Sequence, residues 1–432
     1  MGNKTFIYFI CSVAAMGGLL FGYDWVVIGG AKPFYEAFFG IENDSVMQGW
    51  AMTTANLGCL AGAMVAGMLA DRYGRKPLLV TAAVLFLTSA VATGAFNDFT
   101  MFNLARFWGG IGIGLASALS PMYIAEVAPA EIRGKLVTLN QMTIVLGILG
   151  AQVVNMLLAQ NVADAQDILA TWNGQWGWRW MFWAEAVPAG LFLVLSLFIP
   201  ESPRYKKLQL EASTSTASNE RGTAVKGLKS LPVHLLLLGI IIAVFQQWCG
   251  TNVIFNYAQE IFMGAGYNVD SMFINIVVTG IANVLFTFVA IYTIEKWGRR
   301  KLMLIGASGL GLIYLTLGTC YFMHVEGIFM VVLVVMAISC YAMTLGPVTW
   351  VLLSEIFPDK VRGVAMAICT FALWVGCCTL TFTFPSLNEA LGTYGTFWIY
   401  SGVCFAAFIY LFKACPETKG KTLEQLEAEL NR

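Results

Sequence analysis

The chain has 432 residues, of which 58% are apolar and only 12% are charged. Soluble domains carry about twice that share of charged residues, so the composition excludes a soluble globular protein and predicts an all-α membrane protein. The 25 basic residues balance the 25 acidic ones, which argues against a nucleic-acid partner. Ten cysteines without a C-x-x-C pair and two distant histidines predict neither a metal site nor a cofactor.

Apolar runs of about 20 residues cross a bilayer as helices. Twelve such runs occur, starting near residues 6, 48, 78, 100, 136, 178, 233, 272, 302, 328, 363 and 395. The first contains Asp24 and lacks a small-residue cleavage site, so we expect a retained span and not a signal peptide. Basic residues gather in alternate loops, and the positive-inside rule therefore places those loops and both termini in the cytoplasm.

Small and aromatic residues predict how these spans pack. Gly58, Gly62 and Ala66 are spaced four apart, as are Gly110 and Gly114, a pattern typical of close helix packing. Five tryptophans near one predicted outer boundary are interpreted as an interfacial belt. They are Trp172, Trp176, Trp178, Trp180 and Trp183.

Residues 244–257 carry four amide side chains inside an apolar run. These are Gln246, Gln247, Asn252 and Asn256, and most of them share one helical face. Gly250 stands between them and weakens the helix there. Amides at membrane depth either pair with a neighbouring helix or face a wet cavity. Four of them on one interrupted helix favour a site for a polar ligand over inter-helix hydrogen bonding alone.

The chain also repeats itself. Residues 67–76 are echoed by 293–301, 125–134 by 354–363, and 200–204 by 416–420. A parallel repeat of two six-helix bundles indicates a transporter, with its site expected near the bilayer midplane where the bundles meet. The predicted divisions are an N-terminal bundle at 1–200, a cytoplasmic linker at 201–232, a C-terminal bundle at 233–413 and a cytoplasmic tail at 414–432.

Together these motifs resemble the sugar porter family of the major facilitator superfamily, and within it the bacterial D-xylose/proton symporters. The matching stretches are Gly22-Tyr23-Asp24, D-R-Y-G-R-K from Asp71, S-P-M-Y-I-A-E from Ser120, P-E-S-P-R from Pro200, Gln246-Gln247, Gly346-Pro347 and P-E-T-K-G from Pro416. They extend over essentially the whole chain. The resemblance implies the twelve-helix major facilitator fold and no enzymatic activity.

The resemblance also implies where sugar binds. The implied contacts are Gln246, Gln247, Asn252, Asn283, Trp350 and Trp374, with Phe21, Gln152 and Asn256 as further candidates. Amides pair with sugar hydroxyls, while indole faces cover the apolar face of the ring. Trp350 follows Gly346-Pro347, where the missing backbone donor of proline favours a hinge.

This sequence departs from the symporter pattern at three pocket positions and in the linker. Ile148 stands where a glutamine is expected, with Gln152 one turn further along, and Leu373 and Asn256 replace an expected Gln and Tyr. Fewer amides should hold fewer hydroxyls, so the identity of the sugar stays open. The Ser/Thr-rich residues 211–229 are interpreted as a flexible tether in place of the usual small helical domain.

Acidic and basic residues recur together in the repeated loop motifs. They are Asp71, Arg75, Glu126 and Arg133 in the first half, and Glu295, Arg299, Glu355 and Arg362 in the second. Basic residues gather on the cytoplasmic side in any membrane protein. Because both signs recur at matched positions, we expect inter-helix ion pairs that hold the cytoplasmic side closed.

Three buried charges are candidates for proton coupling. Asp24 lies about eighteen residues into the first span, roughly 27 Å along it, and Arg106 and Glu185 fall at a similar depth. Arg106 could alternate between Asp24 and Glu185, so that Asp24 gains a proton on one side and releases it on the other. The alternative is a static Asp24–Arg106 bridge that joins two helices.

We therefore expect proton-coupled symport of a monosaccharide, a pentose or a hexose, by alternating access. An uncoupled sugar or polyol facilitator and, with less support, a membrane sugar sensor are the alternatives. The expected partners are the sugar, protons and the lipid bilayer. The expected location is a bacterial inner membrane, with the protein as a monomer.

Overall fold

The computed structural model describes residues 4–160, 167–213, 233–357 and 362–419. All regular secondary structure in these ranges is helical, and eleven helices are long and apolar enough to cross a membrane. Two compact units are present, one of residues 1–215 with 268–280 and one of residues 216–267 with 281–432. The bundle boundaries predicted from the sequence remain a prediction.

The helices up to the linker carry the first six spans. They are α1 (Lys4–Phe39), α2 (Ser45–Tyr73), α3 (Arg75–Ala95), α4 (Phe99–Val127), α5 (Ala130–Leu158), α6 (Trp178–Trp183) and α7 (Ala186–Phe198). A π-helical turn, Asn173–Gly177, leads into α6 and makes the sixth span continuous from Asn173 to Phe198. A further helix, α8 (Pro203–Ser213), follows. Of the predicted tether at 211–229, residues 211–213 belong to α8, and residues 214–229 lie outside the described residues.

The remaining helices carry the other spans. They are α9 (Val233–Trp248), α10 (Thr251–Asn256), α11 (Ala258–Gly264), α12 (Val269–Trp297), α13 (Arg299–Phe322), α14 (Ile328–Met343), α15 (Leu345–Ile356) and α16 (Arg362–Ala414). The 53 residues of α16 are interrupted at Gly392, whose φ of 69° and ψ of 169° are not helical. Since α16 is thus two helices, the prediction of twelve spans is confirmed.

Glycines bring α2 and α4 into close contact, as their spacing predicted. A side chain on Gly58 would meet the carbonyl of Phe107, and one on Gly110 would meet the carbonyl of Ala55. Gly114 approaches the backbone of Cys59 in the same way. Helix backbones that touch replace side-chain packing with many short van der Waals contacts. Adding even a methyl group there would push the helices apart.

Two local predictions need correction. Trp178 is fully buried, with its ring 5.4 Å from that of Phe38 and 6.1 Å from that of Phe102, so it belongs to the core and not to an interfacial belt. The break expected at Gly346-Pro347 lies at Thr344, between α14 and α15. Pro347 falls in the first turn of α15, where a missing N–H leaves few bonds unmade.

Candidate functional site

Two breaks interrupt the segment that carries the four amides, so this segment is not one regular helix. The first break is at Gly250, between α9 and α10. Its φ of 88° is a left-handed conformation that glycine adopts without steric cost. A side chain there would also lie 2.9 Å from the ring of Tyr400. A second break at Tyr257 divides α10 from α11. The short α10 therefore carries Asn252 and Asn256 on a segment between two interruptions.

Three of the predicted sugar contacts form one hydrogen-bonded chain. The amide of Asn252 donates to Gln247, and Gln247 Nε2 donates to Gln246 Oε1 over 2.6 Å. Gln246 Nε2 in turn donates to the hydroxyl of Tyr341 over 2.5 Å. Each bond fixes the rotation of one amide and thereby which of its atoms stays available. We call Asn252, Gln247, Gln246 and Tyr341 the amide chain.

The other predicted contacts of the second unit are Asn256, Asn283, Trp350 and Trp374. Asn256 is buried and its Oδ1 has no hydrogen-bond partner among the described residues. Asn283 and Trp374 are buried as well. Trp350 exposes 39% of its surface. Asn256 is thus the amide in this segment that retains an unused acceptor.

Two predicted contacts lie in the first unit. The ring of Phe21 is 6.5 Å from that of Trp25, one turn along α1. Gln152 on α5 exposes 1% of its surface, and its Oε1 has no hydrogen-bond partner within the described ranges. A buried carbonyl oxygen without a donor is costly, so Gln152 is a candidate for a ligand hydroxyl.

The three charges predicted for coupling meet inside the first unit. Arg106 on α4 pairs with the carboxylate of Asp24 and donates to its backbone carbonyl over 3.1 Å. The guanidinium lies 5.4 Å from the ring of Phe182. Glu185 is buried and interacts electrostatically with both Asp24 and Arg106. Asp24 Oδ2 and Glu185 Oε1 have no hydrogen-bond partner among the described residues. Both carboxylates therefore have an oxygen available to accept a hydrogen bond from Arg106.

A second polar cluster joins the ends of several helices in the first unit. Arg75 makes two bonds to Glu126, of 3.0 and 3.1 Å, and one to Asp71 of 3.3 Å. Glu201 accepts the backbone N–H of Arg75 at the start of α3, over 3.0 Å. Ser202 donates to Glu126. We call these five residues the Arg75 cluster.

The same arrangement recurs in the second unit. Arg299 bonds to Glu355 over 2.9 Å and to Glu295 over 3.1 Å. Glu417 accepts the backbone N–H of Arg299 over 3.0 Å, and Thr418 donates to Glu355 over 2.5 Å. These five residues form the Arg299 cluster. Its acids Glu355 and Glu295 are more exposed than Glu126 and Asp71 are in the Arg75 cluster.

A glycine precedes the arginine in both clusters for two physical reasons. Gly74 and Gly298 have φ angles of 97° and 86°, which favour glycine. A side chain on either would also meet the carboxylate of Glu201 or Glu417. The carboxylate can therefore reach the N–H groups at the positive end of the following helix. The side chains of Arg133 and Arg362 lie outside the described residues.

The chain matches the family described as "Sugar (and other) transporter" over residues 10–430. It belongs to that sugar transporter family. The D-xylose-proton symporter of Escherichia coli (strain K12) is 37% identical, over 99% of this chain and 96% of that protein. The arabinose-proton symporter of Bacillus subtilis (strain 168) is 34% identical, over 98% of this chain and 95% of its own length.

This chain has the same fold as a solved sugar transporter structure. The inward-open conformation of the xylose transporter XylE from E. coli matches with a TM-score of 0.84 at 36% identity, over 98% of this chain and 99% of that one. The chain is therefore a multi-pass membrane protein with the major facilitator fold, and it belongs with transporters and not with enzymes. The resemblance to sugar porters is confirmed.

Sequence reasoning missed several polar residues of this sugar transporter family member. Tyr341 gave no signal, because its partner Gln246 lies 95 residues away. Lys32 and Glu36 form a buried ion pair of 2.8 Å within α1. Their spacing of four in an apolar run is a readable signal. Glu201 and Glu417 belong to the repeated motifs, but the repeat did not reveal that they cap helices.

Proposed function

We propose that this chain is a proton-coupled symporter of a neutral monosaccharide, a pentose or a hexose, that works by alternating access. The observation that carries the proposal is the buried group of Asp24, Arg106 and Glu185. Charges inside a bilayer are expensive, and they tend to pair with one another or to mark proton and ion pathways. The proton-symporter names of the curated relatives support the same reading.

Sugar recognition is assigned to uncharged groups. Gln246, Gln247 and Asn252 present oriented amides. Asn256 and Gln152 present acceptors that have no donor among the described residues. Amides accept from and donate to hydroxyls without requiring a charge on the ligand. Asn283, Trp350, Trp374 and Phe21 complete the proposed set of contacts. A neutral sugar fits these groups better than a charged one.

Coupling is assigned to one carboxylate and one movable guanidinium. While Arg106 pairs with Asp24, the positive charge stabilises the carboxylate anion. When Arg106 turns to Glu185, Asp24 is a buried carboxylate without a cation, and it takes up a proton at its free Oδ2. The return of Arg106 releases that proton. Proton binding and the position of Arg106 are thereby linked.

The proposal also covers the location and the assembly of the protein. The chain is assigned to a bacterial inner membrane, as a monomer with both termini in the cytoplasm. No nucleic-acid partner is expected. The Arg75 and Arg299 clusters then lie on the cytoplasmic side, where they are proposed to hold the closed state.

The test uses the purified protein in liposomes with labelled pentoses and hexoses. Wild type should accumulate one of them against its gradient only when a proton gradient is imposed. Asp24→Asn keeps an oxygen acceptor for Arg106 but cannot exchange a proton. It should retain counterflow and lose accumulation. Glu42→Gln, at an exposed position, should retain both counterflow and accumulation.

Three results would decide against parts of this proposal. Accumulation by Asp24→Asn would remove Asp24 as the coupling acid. Equilibration without accumulation by wild type would identify the uncoupled facilitator. Binding of sugar without any transport would favour the sensor.

A further inference from the structure

The side chain of Gln152 packs against Gly280 of α12, in space that any side chain at position 280 would fill. A side chain on Gly280 of α12 would clash with Gln152 Oε1 and would lie 3.1 Å from its Cδ. The same side chain would lie 3.1 Å from Leu149 Cδ1, one turn earlier on α5. Gln152 and Gly280 both belong to the first unit. Gly280 has no positive φ, so space and not backbone conformation is what glycine supplies here.

In this position the amide oxygen of Gln152 is buried and has no donor among the described residues. Gln152 Cδ and Leu149 Cδ1 would each lie 3.1 Å from a side chain on Gly280. The amide therefore lies beside the preceding turn of α5, which also carries Ile148, as expected for helical side chains that lean towards the N-terminus. Ile148 stands where the resemblance to sugar porters expects a glutamine. The backbone of Gly280 offers the oxygen at most a weak Cα–H contact. A hydroxyl donor would satisfy it much better.

We infer that Gly280 is a positioning residue for sugar specificity, because its missing side chain lets Gln152 accept a hydrogen bond from one hydroxyl of the sugar. The inference rests on the proposed function and deepens it. Gln152 replaces, from one turn away, the amide that Ile148 lacks. Any side chain at position 280 displaces that amide. The substrate class is then a neutral monosaccharide that carries a hydroxyl at the position facing Gln152.

The test compares uptake of the best monosaccharide with its set of monodeoxy analogues. Wild type should reject one analogue, because a site built to bond a hydroxyl is left unpaired without it. Gln152→Ala should raise the KM of the parent sugar about tenfold and transport the parent and that analogue with equal KM. Gln152→Met fills similar space without an acceptor and should give the same pattern.

Gly280 is tested by a double-mutant cycle. Gly280→Ala should reproduce the loss of discrimination, and adding it to Gln152→Ala should change nothing further, because its effect passes through Gln152. Gly150→Ala is the matched control, since a side chain there has nothing within 4 Å. It should keep the wild-type KM and the wild-type rejection of the analogue.

The outcomes separate this inference from the proposed function. No sugar transport by wild type would remove the proposed function. Transport with unchanged discrimination in both Gln152→Ala and Gln152→Met would overturn only the inference about Gln152. Additive effects of Gly280→Ala and Gln152→Ala would show that Gly280 acts on helix packing and not through Gln152, which also overturns the inference.

Discussion

Removing one hydroxyl from the amide chain should weaken sugar binding by a predictable amount. In Tyr341→Phe, Gln246 Nε2 loses the acceptor that it bonds over 2.5 Å, while Gln247 still donates to Gln246 Oε1 over 2.6 Å. A neutral hydrogen bond contributes about 0.5–1.5 kcal/mol net. If that bond fixes the amide of Gln246 for the sugar, the Kd should rise about 2- to 12-fold.

Calorimetry with the sugar that wild type binds measures this change. Tyr314→Phe is the matched control, because its hydroxyl lies 3.2 Å from Thr251 Oγ1, which is not a member of the amide chain. It should lower the unfolding temperature without changing the Kd. Equal Kd values for Tyr341→Phe and wild type would refute the reasoning, since Gln246 would then need no support from Tyr341.

Two further predictions concern stability, measured by thermal unfolding in detergent. Arg75→Met should destabilise the fold by up to about 3–5 kcal/mol, because it leaves the buried Glu126 carboxylate with the more distant Arg204, at 3.9 Å, as its cation. Adding Glu126→Gln should recover most of the loss, and a double variant no more stable than the single one would contradict this. Gly110→Ala places a methyl against the carbonyl of Ala55 and should cost about 1–3 kcal/mol. Gly190→Ala, with nothing within 4 Å, should cost almost nothing, and equal losses for the two would exclude close packing as the cause.

Features that depend on local chemistry or on counting along a helix could be predicted. The spans follow from hydropathy, and the break at Gly250 follows from the freedom of glycine at positive φ. The pairing of Asp24 with Arg106 followed from their depth, since each residue advances a helix by about 1.5 Å. The close contact of α2 and α4 followed from a four-residue spacing that puts small side chains on one face.

Features that depend on a distant partner could not be predicted. Tryptophan is a residue type that is enriched at membrane interfaces. Trp178 is instead a core residue, because rings of α1 and α4 pack around it. Thr344 breaks a helix three residues before the proline that marks the region, because a proline is accepted within a first turn. The role of Glu201 depends on backbone N–H groups 126 residues away.

The two ion pairs of α1 differ in when they can form during synthesis. Lys32 and Glu36 are four residues apart, so they can pair as soon as that turn of helix exists. Asp24 must wait for Arg106, which follows it by 82 residues. At about 5–20 residues per second, the ribosome needs about 4–16 s to make that stretch. During that interval the first helix holds an acid in the membrane whose arginine has not yet been made, and α4 completes the charge balance only when it arrives.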